Sequence, residues 1–232
     1  MKIAVIVRTY NEQKNLPLFI DTYIDWVDYI LVQDDLSENT DYLQNLPEKV
    51  IVSYYEGERI ERDKITRAKQ DIQLNSLIQG AENLGTDWII MDDCDCFPNF
   101  SLKRDGRTIL ETSKKEFVFV TRLYLYKDRG HFPKLARHNE EWTPSLWTWK
   151  ANKGFEFVDN GDNGQKTKYV NVRDRHSLNT PPYVLLHKPW PDDETIAEKR
   201  FRYSQIYGNT YKDFNPLSFG GKLEELPEWA NE

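Results

Sequence analysis

The sequence predicts an α/β fold with a mainly parallel, Rossmann-like central sheet flanked by helices. Short β-rich runs alternate with helical patterns over the first 126 residues, which is typical of parallel sheets built from β-α-β units. Polar clusters at 8–11, 34–35 and 92–95 directly follow apolar runs, at the edge where such sheets bind ligands. From about residue 128 the pattern loosens, so the second half is expected to be irregular.

The first half contains the clearest elements. Ile3–Val7 is a continuous apolar run, which predicts a strand buried on both faces of a parallel sheet. Apolar residues at helical spacing from Leu16 to Val27 predict an amphipathic helix with Pro17 in its first turn. The same patterns predict strands at 29–33, 49–55, 88–91 and 117–126 and a second helix within 66–84.

The second half is expected to supply loops and a late helix. Trp142–Trp149 and Asp159–Gly164 are predicted to be loops at a binding site. Tyr183–His187 is predicted to be a short strand that ends in a histidine, and a helix is expected to begin at Thr195, with Glu198 completing a capping box. The tryptophans of this half either stack on a ligand or belong to the core, which is favoured for each of them: Trp142, Trp147, Trp149 and Trp190.

Composition and charge limit the classes to which the protein can belong. Its 232 residues suit one domain, and a net charge of −7 disfavours a general nucleic-acid coat. Residues 103–138 are locally basic, with a solvated surface as the favoured interpretation. Cys94 and Cys96 stand too close in sequence for an ordinary structural disulfide, which fits a reducing compartment. No apolar run reaches the length of a signal sequence or a membrane span, so we expect a cytoplasmic protein without a transmembrane segment.

Three carboxylates in four residues follow the apolar run at 88–91. Unpaired, Asp92, Asp93 and Asp95 would repel one another, and a divalent cation would relieve that repulsion. Carboxylate oxygens suit Mn²⁺ or Mg²⁺. If the strand geometry continues, Asp93 and Asp95 point to the same side and can reach one ion. A turn and helix N-cap is the alternative, which Pro98-Asn99 supports. A soft-metal site at the cysteines is disfavoured because the chain has no other cysteine.

Three blocks of the first hundred residues resemble the family-2-type nucleotide-sugar glycosyltransferases of the GT-A fold. VIVRTYNEQKNLPLFI resembles the family's first strand and its T-Y-N-E turn. YILVQDDLSENT is similar to a strand followed by D-D-G-S-T-D, although Leu36 replaces the usual glycine. WIIMDDCDCFPN is similar to the D-x-D strand, often written D-A-D-C-x-P. The blocks occur in the family's order, whereas the second half of the chain matches only loosely.

The resemblance implies a set of residues that bind the nucleotide-sugar. In the family, equivalent positions border the nucleoside, accept hydrogen bonds from the base or ribose, or lie near the diphosphate. These positions are Thr9, Tyr10, Glu12, Asp34, Asp35, Arg67 and Asp93. A surface helix position is the alternative for Arg67, and an ordinary turn is the alternative for Asp34 and Asp35.

The resemblance also implies a metal site and a catalytic base. Asp93 and Asp95 would bind Mn²⁺ or Mg²⁺, with His187 in the place of the third ligand that many GT-A enzymes take from a late histidine. Inversion at the anomeric carbon, which rests on family analogy, needs a carboxylate that deprotonates the acceptor. Asp159 and Glu156 are the first candidates for that base. Asp162, Asp192 and Asp193 also qualify by residue type, although the start of a helix is the favoured interpretation for Asp192 and Asp193.

We therefore expect a metal-dependent glycosyltransferase that moves a sugar from a nucleoside-diphosphate sugar, with UDP the expected nucleotide, to a hydroxyl acceptor. A saccharide or lipid-linked sugar is favoured over a hydroxylated DNA base as acceptor. Residues 1–126 would form the donor-binding half of one domain, and residues 127–232 the acceptor-binding half with a helix and tail. The sequence indicates no oligomeric state.

Other functions remain as alternatives. A sugar nucleotidyltransferase should have a glycine-rich loop after the first strand, and Arg8–Asn15 contains no glycine. A haloacid-dehalogenase-type phosphatase carries D-x-D after its first strand, followed by threonine, whereas this motif follows a later strand and continues Cys-Phe-Pro. A non-catalytic nucleotide-sugar-binding protein would bind the same donor without turnover.

Overall fold

The structure is a computed structural model that describes residues 1–57, 59–62, 65–68, 70–126, 131–132, 144–159, 165–167, 175–178, 182–190, 192–197 and 201. The helices within these ranges are α1 (Leu16–Tyr23), α2 (Gln70–Asn83) and α3 (Phe100–Thr112), with a 3-10 turn at Asp41–Leu43. The strands are β1 (Ile3–Thr9), β2 (Tyr29–Asp34), β3 (Val50–Tyr54), β4 (Arg59–Arg62), β5 (Ile65–Ala68), β6 (Trp88–Met91), β7 (Cys96–Pro98), β8 (Phe117–Tyr126), β9 (His131–Phe132), β10 (Pro144–Lys150), β11 (Phe157–Asp159), β12 (Gln165–Thr167), β13 (Arg175–Leu178) and β14 (Leu185–Trp190).

One large sheet organises the chain. Its strand order is β3-β2-β1-β6-β10-β8-β14-β7, and β9 and β13 also pair with β8. β1 lies parallel to β2 and β6, β2 lies parallel to β3, and β8 lies parallel to β13 and β14. β10 runs antiparallel between β6 and β8. The prediction of a mainly parallel, Rossmann-like α/β sheet with flanking helices is confirmed.

The sheet is buried on both faces, as the apolar run of β1 predicts. Ile3, Val5 and Val7 pack into one cluster with α1, whereas Ala4 and Ile6 pack into a second cluster with α2. Each of these five residues is at most 1% exposed. Fully burying one such aliphatic side chain contributes about 1.5–3 kcal/mol, so β1 is the centre of the folded core.

The prediction of a loop at Trp142–Trp149 is wrong where the structure describes that stretch. Residues 144–150 form β10, which pairs on both sides inside the sheet. Trp147 and Trp149 are 0% and 1% exposed and pack into opposite faces, which makes them core residues as favoured. An irregularity between Leu146 and Thr148 interrupts the alternation of the strand, and this hides it in the sequence. The side chains of Trp142 and Trp190 lie outside the described part.

Several predicted boundaries also shift. α1 ends at Tyr23 rather than near Val27, and the helix expected within 66–84 begins at Gln70, because β4 and β5 form a hairpin before it. The late helix does not begin at Thr195. Residues 193–197 are helical, and the Asp192 carboxylate accepts a hydrogen bond from the Thr195 N–H (2.7 Å), which makes Asp192 the N-cap. Glu198 lies outside the described residues.

None of the helices in the described ranges is long and apolar enough to cross a membrane. The division at residue 126 stays a prediction, and the sheet contains strands from both sides of it, because β10, β13 and β14 pair with β8.

Candidate functional site

The carboxyl ends of β2, β1 and β6 meet at one edge of the sheet, because the three strands are parallel and adjacent. Thr9 ends β1, Asp34 ends β2, and Asp92 follows the last residue of β6. The Thr9–Asp34 register pair and the Asp92 N–H, which donates to Ile6 O (3.4 Å), place these ends level. Ligands of open α/β sheets bind at this edge.

Asp34 is a structural carboxylate at this edge. It is fully buried and accepts hydrogen bonds from Thr9 Oγ1 (3.0 Å), the Ser37 N–H (2.7 Å) and hydroxyl, and Tyr42 Oη (3.0 Å). These bonds use the acceptor positions of both oxygens to hold the turn after β2. Asp34 and Thr9, both predicted to contact the nucleotide, thus bind each other and leave Asp35 as the carboxylate closer to solvent.

The loops after β1 and β2 are joined to each other. The Asp35 N–H donates to Thr9 O (2.9 Å), and the Asn11 N–H donates to Ser37 Oγ (2.7 Å). Leu36 stands where the resembling family usually has glycine, and its φ of 56° lies in the left-handed region that glycine adopts without strain. Leu36 therefore adopts a left-handed backbone conformation in place of the glycine of the motif, and this carries a conformational cost.

Two other predicted nucleoside contacts lie at the same edge. Tyr10 is 38% exposed directly after β1. Glu12 is partly buried, and its carboxylate accepts a hydrogen bond from Asn15 Nδ2 (2.8 Å) at the start of α1.

Residues 92–95 form a turn that we call the acidic turn, and Asp92 attaches it to the protein interior. Asp92 is 3% exposed and accepts hydrogen bonds from Tyr23 Oη (2.6 Å) and Arg122 Nη2 (3.2 Å). Burial raises the pKa of Asp92 to about 6, and the positive charge of Arg122 and the tyrosine hydroxyl oppose that rise. Asp92 therefore supports its neighbours and faces the protein interior.

Arg122 links this buried carboxylate to the exposed one. Its Nη1 lies 3.6 Å from Asp93 Oδ2, and its side chain is 14% exposed. Arg122 belongs to none of the motifs that predicted the site. The available signal was a charged residue within the otherwise apolar and aromatic run of β8, where a buried arginine requires an acidic partner.

Asp93, Asp95 and His187 converge. One potential ligand atom from each lies within 4.8 Å of the others, and His187 Nε2 is 3.2 Å from Asp95 Oδ1. The Asp93 side chain is 53% exposed, whereas those of Asp95 and His187 are 16% and 15% exposed. Two carboxylates and an imidazole fit a Mn²⁺ or Mg²⁺ site that leaves coordination positions open.

The geometry that brings Asp93 and Asp95 together differs from the predicted one. β6 ends at Met91, and a turn closed by the Cys96 N–H and Asp93 O (2.9 Å) carries the two carboxylates. The strand geometry on which that expectation depended therefore does not continue past Met91, and a turn brings the two carboxylates together instead.

His187 reaches the acidic turn through the sheet. It is the third residue of β14 rather than the end of a strand, and it pairs with Cys96 of β7 and with Tyr124 of β8. Its ring packs on Tyr124 with a centroid distance of 4.7 Å. His187 Nδ1 is buried and has no hydrogen-bond partner among the described residues. The strand pairing thus fixes the imidazole beside Asp95.

Arg8 is a second residue without a predicted role, although it belongs to the polar cluster at 8–11. It precedes Thr9 in β1 and is partly buried. Burial lowers the pKa of Arg8, and the charges of Asp93 and Asp35 oppose that change. The positive charge of Arg8 therefore acts on both a predicted base-binding carboxylate, Asp35, and a predicted metal-binding one, Asp93.

Three predicted residues remain, namely Arg67, Glu156 and Asp159. Arg67 pairs with Ile60 in the β4–β5 hairpin, and its side chain lies outside the described part. Glu156 is partly buried, and Asp159 ends β11, with its side chain likewise outside the described part. Reciprocal hydrogen bonds of 2.8 Å between Asn75 and the backbone of Phe157 hold this stretch against α2. The assignment of a catalytic base stays a prediction.

Comparison with solved structures defines the type of fold. The structure of TarS residues 1–349 from S. aureus superposes with a TM-score of 0.53 at 14% identity, and the match covers 91% of this chain and 68% of that one. The chain therefore has the GT-A fold. The complex of TarS 1–349 with UDP superposes equally well, and the complex with UDP-GlcNAc has a TM-score of 0.50 at 13% identity, with 91% of this chain and 69% of that one covered.

A longer TarS chain has a TM-score of 0.52, and the match covers 41% of it. No model of a protein family and no curated protein sequence matches this chain.

Proposed function

We propose that this protein transfers a sugar from a nucleoside-diphosphate sugar to a hydroxyl acceptor with the help of a divalent cation. The convergence of Asp93, Asp95 and His187 at the ligand-binding edge of a GT-A fold carries the proposal. TarS structures that contain UDP and UDP-GlcNAc share the fold, which supports a uridine nucleotide as the donor's leaving group.

The donor's nucleoside would bind where the loops after β1 and β2 meet. In the proposal, Asp35 accepts hydrogen bonds from the base or ribose, and Tyr10 and Glu12 border the same pocket. Asp34 and Thr9 hold the loop that positions Asp35. Arg67, on the hairpin before α2, is proposed to lie near the base and diphosphate.

The acidic turn would bind the cation and the diphosphate. Asp93, Asp95 and His187 supply the ligand atoms, and Arg122 orients Asp93 through its contacts with both Asp92 and Asp93. A bound Mn²⁺ or Mg²⁺ would supply Lewis-acid stabilisation of the negative charge that develops on the leaving diphosphate.

The acceptor side rests on Glu156 and Asp159, one of which would deprotonate the attacking hydroxyl in an inverting reaction. A saccharide or lipid-linked sugar is the favoured acceptor. A hydroxylated DNA base is the second candidate, supported by the locally basic composition of residues 103–138.

A donor panel tests the proposed function. With Mn²⁺ and no acceptor, the protein should slowly hydrolyse one nucleotide-sugar of the panel and release nucleoside diphosphate. Asp95→Ala should reduce this rate by roughly a hundredfold or more, because it removes a cation ligand that also pairs with His187. The matched control is Asp25→Ala, an aspartate on the surface with 77% side-chain exposure, which should keep the rate.

Absence of turnover across the panel, together with absence of metal-dependent binding of any nucleoside diphosphate, would overturn the transferase proposal. Metal-dependent binding without turnover, even with saccharide and hydroxymethylated-DNA acceptors, would identify a non-catalytic binding protein instead.

A further inference from the structure

Arg8 lies on the α2-facing side of the sheet, at the edge where the donor is proposed to bind. Residues of β1 alternate between the two faces, and Ala4 and Ile6 belong to the cluster that contains α2. Arg8 is the next residue on that face, beside its register partner Gln33 of β2. On the other side, Ile6 pairs with Met91, so the acidic turn begins level with Arg8.

Two neighbouring polar groups on this face, the Arg8 guanidinium and Gln33 Oε1, accept or donate no hydrogen bond among the described residues. Within the described part of the chain, the Arg8 guanidinium donates no hydrogen bond and forms no ion pair. Gln33 Oε1 is buried without a donor, although Gln33 Nε2 donates to Ser76 Oγ (3.4 Å) and Gln33 O accepts from Gln73 Nε2 (3.4 Å). Buried polar groups of proteins are nearly always hydrogen-bonded, so unpaired ones at a binding edge indicate that a ligand completes them.

The protein keeps the charge of Arg8 at an energetic cost. Asp35 and Asp93 favour the charged form, but desolvation outweighs them and lowers the pKa of Arg8. A guanidinium that only stabilised the fold would be expected to pair with one of these carboxylates, as Arg122 does with Asp92.

We propose that Arg8 is a specificity-determining residue that donates a hydrogen bond to a carbonyl oxygen of uracil, while Asp35 accepts from the adjacent ring N–H. Uracil presents an N–H flanked by two carbonyl oxygens, which complements a carboxylate beside a guanidinium. Cytosine has an acceptor nitrogen in place of this N–H and an amino group in place of the O4 carbonyl. In the same pose Asp35 would face an acceptor, and Arg8, placed at the O4 position, would face a donor. This assignment rests on the proposed function and specifies the base of its donor.

Binding of nucleotides to Arg8→Gln and Arg8→Lys tests the assignment. Isothermal titration in Mn²⁺ would compare UDP, UMP and CDP for each variant and for the unaltered protein. Arg8→Gln should weaken UDP and UMP by the same factor, roughly ten- to a hundredfold, and change CDP little, because one charge-assisted hydrogen bond to uracil is lost. Arg8→Lys should lose less, because it keeps the charge but not the fork of donors.

The control is Arg104→Gln, which alters an exposed arginine paired with Asp105 and should leave all affinities unchanged. A loss that is large for UDP and small for UMP would place Arg8 at the diphosphate and overturn the assignment to the base. An unaltered protein that binds CDP more tightly than UDP would overturn it as well.

Thermal unfolding separates recognition from a structural role. Arg8→Gln should unfold at the same or a higher temperature, because the substitution removes a desolvated charge. A lowered unfolding temperature in Arg8→Gln, together with unaltered UDP affinity in Arg8→Lys, would overturn the proposal. If the unaltered protein binds no nucleoside diphosphate, the transferase proposal itself fails. If it binds UDP and Arg8→Gln binds UDP equally well, only the role of Arg8 fails.

Discussion

At the scale of single residues, the acidic turn depends on one buried carboxylate. Asp92 faces inward, where Tyr23 and Arg122 bind it, and Asp93 and Asp95 extend beyond it. A buried carboxylate is costly unless hydrogen bonds and a countercharge compensate it. Tyr23 supplies the shorter of the two contacts and lies in the core of α1, so it couples helix packing to the geometry of the site.

Tyr23→Phe should lower the free energy of unfolding by roughly 1–3 kcal/mol, because Asp92 loses a hydrogen-bond donor in a buried position. Urea unfolding followed by circular dichroism measures the change. The matched control is Tyr29→Phe, at a partly buried position whose ring lies beneath Lys2 Nζ, and it should shift stability by less than about 0.5 kcal/mol. Equal stability of the two variants would contradict the role assigned to Tyr23.

At the scale of elements, the start of α3 is tied to the segment that leads into β14. Asn99 is the N-cap of α3, and its Oδ1 accepts from the Leu102 N–H (3.2 Å) and the Val184 N–H (3.3 Å). Its Nδ2 donates to Pro182 O (2.8 Å). One side chain thus satisfies the helix end and fixes the approach to the strand that carries His187.

Asn99→Ala should cost about 2 kcal/mol of stability, because both the cap and the tie to residues 182–184 are lost. Asn99→Asp keeps an oxygen at the cap but loses the donor to Pro182, so its loss should be smaller. Thermal unfolding of the two variants ranks them. An aspartate variant that is less stable than the alanine variant would show that the cap contributes little.

At the scale of the whole molecule, strands from both halves of the chain interleave in one sheet. β10 separates β6 from β8, and every strand of the described residues that pairs with β8 follows residue 126. His187 reaches Asp95 only because β14 lies between β7 and β8. The candidate metal site therefore forms only when the distant parts of the chain have folded together.

A fragment of residues 1–126 should for this reason fail to fold cooperatively. β8 would have no neighbour, and β6 would expose the edge that β10 covers. Circular dichroism during urea unfolding should show a gradual change for the fragment and a single sharp transition for the full chain. A sharp transition in the fragment would show that the first half is an independent domain.

Local patterns in the sequence predicted the strands that form the edge of the site. β1 and β6 are continuous apolar runs because both faces of each are buried, and the polar residues that follow them must meet where parallel strands end. The polar groups after β1, β2 and β6 were predictable for the same reason. The resemblance to GT-A glycosyltransferases predicted His187 as a metal ligand. The pairing of β14 with β7 places this residue beside Asp95.

Pairings between distant segments could not be predicted in this way. The position of β10 depends on hydrogen bonds to β6 and β8, and its irregularity hides the alternation that marks a strand. The contact of Arg122 with Asp92 and Asp93 joins residues about thirty positions apart in sequence. The periodicity of a helix or strand cannot reveal a contact between residues so far apart. The apolar periodicity of a segment states which face is buried, but only the folded sheet determines which side chains face each other across it.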